Sequence, residues 1–214
     1  MCRFDDILGA LTLPKSEEYD RRYETPLQVL RTVNFIEHKP GRESCWRAIV
    51  LMGLNSASYK FALAKALLNY EASDDSVIRL EDLATPFVKN ICEHLRLSEK
   101  QNTRGSGTFI DSLKKYNNGE ITDEELVAVT TRQGFVNVID AFHVVGPKDT
   151  PIRFFLDERQ TGNGIRLTDN FYNLKESVQC SNLGNEVEAR WRLVETAWNL
   201  NISTRLLTVS HDLD

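Results

Sequence analysis

The sequence predicts a mainly α-helical protein: a helical domain with a small β-hairpin element. Along most of the chain, apolar residues recur every three or four positions, as one face of a helix requires. Residues 152–167, IRFFLDERQTGNGIRL, are the exception, because two short apolar runs flank a Gly-Asn-Gly turn. Strands and helices do not alternate in order, so a doubly wound sheet is not expected.

The first two predicted helices flank a tight turn. Residues 42–52 place Trp46, Ile49 and Val50 on one face, and Gly53 is a natural C-terminal stop. A second apolar face begins at Tyr59 and continues to Tyr70. Three polar residues in the turn are candidates for the N-cap of this second helix: Asn55, Ser56 and Ser58.

The remaining helices have clearer limits. Residues 80–95 form one predicted helix, with a kink or a split start at Pro86. A short helix over residues 109–116 ends at Asn-Asn-Gly, and Thr122 with Glu125 forms a capping box for the next one. The last helix, near 182–200, carries one apolar stripe: Leu183, Val187, Trp191, Val194 and Trp198.

The most linker-like segment is SEKQNTRGSGT, which covers residues 98–108. It is polar, holds two glycines and contains no apolar residue. The predicted organisation is therefore an N-terminal helical region (1–97), a linker (98–108) and a second helical region (109–214) that contains the hairpin and the long final helix.

Composition narrows the function classes. The chain is 41% hydrophobic and has a net charge of −5, which disfavours a small dedicated DNA-binding domain without excluding a local basic groove. No apolar run approaches the roughly 20 residues of a membrane span, and the N-terminus lacks signal-peptide charges. We expect a cytoplasmic protein with no membrane partner. The four cysteines are too far apart for a zinc knuckle, so we expect free thiols and no metal site.

The stretch AIVLMGLNSASYKFALAKALL, residues 48–68, invites comparison with a phosphate-binding loop. In the Walker pattern the second glycine, the lysine and the hydroxyl would fall on Ser58, Tyr59 and Lys60, and all three positions fail. A helix–turn–helix remains, whose open amides and nearby cations can hold one backbone phosphate. The predicted nucleic-acid-binding residues are Arg42, Arg47, Asn55, Ser58, Lys60 and Lys65; solvated charges on a helical hairpin are the alternative.

No catalytic residue is predicted. Asp157, Glu158 and Arg159 lack the spacing of a PD-(D/E)xK nuclease. His143, in an apolar segment, is typical of a buried, hydrogen-bonded histidine. Glutamates at helical spacing surround Arg190 and Arg192, which favours pairing within the last helix.

Three stretches together resemble the N-terminal region of a family of bacterial HNH endonuclease proteins found among restriction-like and anti-phage defence genes. They are CWRAIVLMGLNSASYKFALAKALL (45–68), FVNVIDAFHVVGPKDTPIRFFLDE (135–158) and NEVEARWRLVETAWNLNIS (185–203). The resemblance implies a C-terminal HNH domain that binds a divalent metal. The last forty residues of this sequence cannot supply such a site, so no cofactor is expected in these 214 residues.

Two functions follow from the resemblance. In the first, the chain is the non-catalytic N-terminal module of a nuclease and contributes DNA-backbone binding, positioning or assembly. In the second, it is an assembly module that docks a sensor or ATPase subunit, or another copy of itself, without contacting nucleic acid. The second hypothesis uses the aromatic faces around Trp46, Trp191 and Trp198. An independent enzyme is a third reading, for which no convergent set of catalytic residues is visible.

Overall fold

The computed structural model describes residues 40–53, 55–71, 77–146 and 148–207, with Lys148 and Arg205 described by their backbone alone. The chain divides into two compact units, Met1–Gly41 and Arg42–Asp214, and the fold below is that of the second unit. Predictions that concern earlier residues, including Cys2, lie outside the described residues.

Helices dominate the described residues, which confirms the predicted fold class. Nine α-helices occur there: α1 (Arg42–Arg47), α2 (Tyr59–Leu68), α3 (Leu80–Leu97), α4 (Thr108–Asn117), α5 (Asp123–Val129), α6 (Val138–Ala141), α7 (Arg159–Gly162), α8 (Asp169–Lys175) and α9 (Cys180–Asn199). Two π-helical segments, Ala48–Met52 and Thr130–Gly134, extend α1 and α5, and a 3₁₀ turn spans Thr204–Leu207. The strands are β1 (Val77–Arg79), β2 (Val144–Val145), β3 (Lys148–Asp149), β4 (Phe155–Glu158) and β5 (Gly164–Leu167).

Local signals set several helix ends as predicted. The capping box is present: the Glu125 amide donates to Thr122 Oγ1 (3.3 Å), and the Thr122 amide donates to Glu125 Oε2 (2.9 Å). Gly53 ends the first helical stretch, because a Cβ there would come within 2.5 Å of the Ile49 carbonyl oxygen. Pro86 neither splits α3 nor delays its start, since the helix runs without interruption from Leu80 to Leu97.

The predicted hairpin is present and gains a third strand. β4 and β5 pair antiparallel, and β1 joins the other edge of β5, giving the order β1-β5-β4. The connection is longer than a tight turn, because α7 fills it and Asn163 closes it in the left-handed conformation at φ 52°. β2 and β3 form a separate two-stranded ribbon.

Aromatic side chains join the helices and the sheet into one core. The Trp46 ring meets Phe142 and Phe154 edge-on, at centroid distances of 5.7 and 5.1 Å. Phe61 of α2 stacks on Trp191 of α9. All three tryptophans, including Trp198, are buried, so the aromatic faces that the assembly hypothesis proposed as a docking surface are core instead. The spacing of these tryptophans therefore indicates a buried face of the fold and not an exposed one.

Residues 98–108, predicted to be a linker, lie inside the compact unit. Gln101 has no exposed surface, and the Thr103 amide donates to the Ser56 carbonyl oxygen at 3.0 Å. A bridge between Ala57 and Asn102 continues this contact. Only Ser98 and Gln101 of this segment are buried, and hydrogen bonds hold it against the fold, which a hydrophobicity pattern does not register.

Two glycines give a matched test of the sheet. A Cβ at Gly164 in β5 would lie 2.0 Å from the Ile78 carbonyl oxygen, whereas a Cβ at Gly184 in α9 meets nothing within 4 Å. We expect Gly164→Ala to lower the free energy of unfolding by about 2 kcal/mol or more, because the β1–β5 pairing must shift. Gly184→Ala should raise it by roughly 0.5–1 kcal/mol. Urea unfolding followed by circular dichroism measures both, and equal effects would contradict the described β1–β5 register.

Candidate interaction surface

The N-terminus of α2 is where a phosphate contact was predicted. Ser58 occupies the N-cap position, but its hydroxyl makes no hydrogen bond to the first turn and is fully buried without a partner among the described residues. The Ser58 amide donates to the Gln101 carbonyl oxygen at 2.9 Å. Residues 101–103 therefore cover this end of the helix from the side that a phosphate would approach.

The cations near this turn are engaged within the protein. Arg47 binds both carboxylate oxygens of Glu186, at 2.7 and 2.8 Å, and the Lys65 ammonium binds Glu188 at 2.7 Å. These pairs fasten α1 and α2 to α9. Because Glu186 and Glu188 each already face a cation, their pairs leave little positive potential for an outside phosphate.

Lys60 and Arg42 differ in exposure. The Lys60 ammonium is buried and donates to the Val144 carbonyl oxygen at 3.0 Å. Desolvation lowers the pKa of Lys60 to about 8. Arg42 lies nearer the surface, where its Nε donates to the Asn170 side chain of α8 at 3.3 Å. Asn55 is buried and donates to the Gly53 carbonyl oxygen. The six predicted residues thus do not converge on one accessible basic surface, and DNA contact through them stays a prediction.

A polar cavity of about 570 Å³ lies beside the same turn. Asn55, Ser56 and Thr103 form one wall, and the end of α9 with the residues after it forms the other. Asn55 Oδ1 and Trp198 Nε1, from residues in these two walls, have no hydrogen-bond partner in the described part of the chain. Such atoms are normally satisfied by ordered water.

A buried polar network centres on His94 of α3. Its ring stacks on the Trp191 indole with centroids 3.6 Å apart and planes 2° from parallel. His94 Nδ1 lies 2.8 Å from Glu195 Oε1, and Nε2 lies 3.2 Å from Glu188 Oε2. The arrangement locks α3 against α9.

Gln101 completes this network from the neighbouring loop. Its Nε2 donates to Glu195 Oε1, and its Oε1 accepts from Trp191 Nε1 at 3.0 Å. At the outer end of the network, Arg192 Nε donates to Glu188 Oε1 at 2.7 Å. Although burial raises the pKa of Glu188, the Lys65 hydrogen bond and the positive charges beside it lower the pKa to about 2.

The other charged candidates form local pairs. Arg159 bridges Asp157 and Asp140, and Arg166 pairs with Glu158 across the β4–β5 hairpin. These contacts keep the hairpin charges out of any nuclease-like cluster. In the part of the chain that the structure describes, no group of three or more His, Cys, Asp or Glu side chains is placed to hold a metal ion.

His143 is buried and hydrogen-bonded, as its apolar surroundings predicted. Its Nε2 accepts from the Phe154 amide at 2.9 Å, so the proton of the neutral ring lies on Nδ1, which has no partner among the described residues. Burial lowers the pKa of His143 to about 4, and the charges of Arg153 and Lys60 act in the same direction against Asp149.

An apolar groove runs along α9. Glu186, Ala189, Arg190 and Leu193 lie at helical spacing on one stripe of α9, next to the stripe that enters the core. The opposite wall comes from Leu51 and Met52 of the π-helical segment and from Leu207, and the groove holds about 430 Å³. Met52, Leu193 and the nearby Leu206 are exposed, which makes this an apolar surface in contact with solvent.

Comparison of the chain with protein-family models, with curated proteins and with solved structures found no match. The resemblance to HNH endonuclease proteins therefore stays a prediction from the three quoted stretches. None of the helices within the described ranges is long and apolar enough to cross a bilayer.

Sequence patterns missed the residues that matter most here. His94 lies between Ile91 and Leu95 on the apolar face of α3, and a polar residue on such a face was the available signal. Gln101 gave no signal, because its partners Trp191 and Glu195 are 90 and 94 residues away. Spacing along the chain indicated that Arg190 could pair with Glu186, four residues before it. It gave no sign that Arg47 would bind Glu186 instead.

The His94 network should be a major source of stability. We expect His94→Leu to lower the free energy of unfolding by about 3–5 kcal/mol, because two carboxylates lose the buried ring that is hydrogen-bonded to both. Arg192→Ala, which removes an exposed cation from the same Glu188, should cost less than about 0.5 kcal/mol. Urea titrations at neutral pH compare the two. If the two substitutions lower the free energy of unfolding by similar amounts, the His94 ring is not a major source of stability.

His143 should make the folded state sensitive to mild acid. The unfolded chain binds a proton at this ring below about pH 6.5, whereas the folded protein does so only near pH 4. Stability from this group is therefore complete above pH 6.5 and lost as the pH falls to 4, by about 3 kcal/mol. His143→Gln keeps an acceptor for the Phe154 amide. In this variant the free energy of unfolding should fall less steeply as the pH is lowered from 6.5 to 4. If the free energy of unfolding of the variant falls with pH as steeply as that of the wild type, another group causes the acid sensitivity.

Proposed function

We propose that this chain is a protein-interaction and assembly module of a bacterial defence system of the HNH type, which docks a partner protein through the α9 groove and leaves catalysis to another domain or subunit. The observation that carries the proposal is the groove itself. It combines exposed Met52 and Leu193 with a wall of core-anchored leucines, and exposed apolar surface of this kind is typical of protein contacts.

The distribution of charge supports an assembly role over DNA binding. Arg47, Lys60 and Lys65 are held in internal contacts, and the chain carries a net charge of −5. A DNA-backbone module needs several free cations on one face, since each neutralised phosphate contributes to affinity. The link to defence nucleases rests on the resemblance of residues 45–68, 135–158 and 185–203 alone.

Docking through the groove is tested with two leucines of similar character. Leu193 lies in the groove and is 46% exposed, whereas Leu97, at the end of α3, is 73% exposed and outside it. The full-length protein is co-expressed with the products of its neighbouring genes, with a photo-crosslinking residue at either position. We expect one discrete crosslinked product from position 193 and none from position 97, because position 193 lies in the apolar groove and position 97 lies outside it.

The same leucines serve as substitutions. Leu193→Asp should dissociate the complex at unchanged melting temperature, since the side chain is partly exposed in the folded unit, and Leu97→Asp should leave the complex intact. Crosslinking at both positions or at neither would overturn the proposal. A product with the mass of two copies would identify the partner as a second chain of this protein.

The DNA hypothesis has its own readout. Fluorescence anisotropy with a labelled duplex of about 30 base pairs is measured between about 50 and 200 mM salt. A backbone-binding module would lose affinity by orders of magnitude over this range. We expect no binding that depends on salt in this way. Substituting Arg47 or Lys65 is a poor test, because either change also breaks an ion pair to α9.

A further inference from the structure

Arg190 is the one basic side chain among the described residues that line the groove. Arg190 lies on α9 between Ala189 and Trp191 and is only 7% exposed. Its Nη1 donates to the Leu207 carbonyl oxygen at 3.1 Å, and its Nε, although buried, has no partner in the described residues. A guanidinium offers five N–H donors, and the buried one on Nε is unused within the described residues.

The carboxylates that could neutralise Arg190 are engaged elsewhere. Glu186, four residues before it on α9, is bound by both arms of Arg47. Glu195, five residues after it, faces His94 and Gln101 in the core. Desolvation lowers the pKa of Arg190, in keeping with a cation that has no carboxylate beside it in the part of the chain that the structure describes.

A buried cation without a carboxylate is costly in a folded protein, and arginine is the residue that interfaces use for shielded ion pairs. The leucines around it exclude water from one side of the guanidinium. An ion pair formed there would be stronger than one on the open surface, since the local dielectric is lower. The site is therefore suited to a carboxylate that arrives together with apolar side chains.

We propose that the α9 groove receives a segment of a partner protein in which aliphatic side chains flank an aspartate or glutamate, with the aliphatic groups seated against Leu51, Leu193 and Leu207 and the carboxylate paired with Arg190. This rests on the proposed function and names the chemistry of the partner. A nucleic-acid strand does not fit, because it would place further phosphates against the leucines. An uncharged apolar segment would leave the guanidinium unpaired.

The test uses a displayed library of random dodecapeptides, selected on the full-length protein. The expected consensus is an acidic residue between aliphatic ones. The best peptide is synthesised with its acidic residue and with the matching amide, Glu→Gln or Asp→Asn. We expect the amide peptide, titrated by calorimetry, to bind at least about thirtyfold more weakly, because a shielded charge pair has been cut. Binding should depend little on salt.

Matched arginines on α9 provide the protein controls. Arg190→Gln should reproduce the loss seen with the amide peptide, whereas Arg192→Gln, an exposed residue paired with Glu188, should bind like the wild type. Arg190→Lys is a second route if Arg190→Gln does not fold. It keeps the positive charge but loses the planar fork that binds a carboxylate through two N–H groups, and should bind the acidic peptide more weakly than the wild type.

The outcomes separate the two proposals. Apolar consensus peptides that bind Arg190→Gln and wild type equally would overturn the carboxylate inference and leave the docking function standing. Peptides that bind equally well to Leu193→Asp do not use the groove, and would overturn the inference as well. If no peptide is selected and the crosslinking at Leu193 also fails, both proposals fall. A wild-type protein that retains the acidic peptide while both Arg190→Gln and the amide peptide lose it supports the inference.

Discussion

The hydrogen-bonding demand of one buried amide side chain, Gln101, fixes the relation between the main helices. Its side chain binds Trp191 and Glu195 of α9, while its carbonyl oxygen accepts the Ser58 amide at the start of α2. Buried amides are stable only when their donors and acceptors are matched, so these partners hold one geometry. The stripe of α9 that forms one wall of the groove is therefore carried by a helix whose position these bonds hold.

The charges of the protein are organised around α9. Glu186 pairs with Arg47, and Glu188 pairs with Lys65 and Arg192. Glu195 points inward and contacts His94. The acidic residues of this helix thus bind cations of α1 and α2 and the His94 ring of α3, and hold these helices together. This explains how basic residues that look available in the sequence are consumed by the fold. Positive charge is left at Arg190, where the surroundings are apolar.

The sequence correctly predicts features that depend on residues close together in the chain. The capping box at Thr122, the stop at Gly53 and the β4–β5 hairpin are each determined within a few residues, and all are confirmed. It failed where a residue's environment comes from distant parts of the chain. Gln101 was assigned to a linker, and Trp191 to an exposed docking face in the assembly hypothesis. Burial through hydrogen bonds, and the choice between a core stripe and a binding stripe, leave the same local pattern.

The π-helical segment Ala48–Met52 gives the groove an unusual susceptibility to change. A π-helical turn holds one more residue than the α-helical turn it replaces, and such turns are frequent at functional sites. Removal of a single codon within this segment would restore an α-helical turn and change which side chains face the groove there. Trp46, which precedes the segment, would keep its place among the core aromatics. One wall of the groove can therefore be gained or lost in one evolutionary step while the core that supports it is retained.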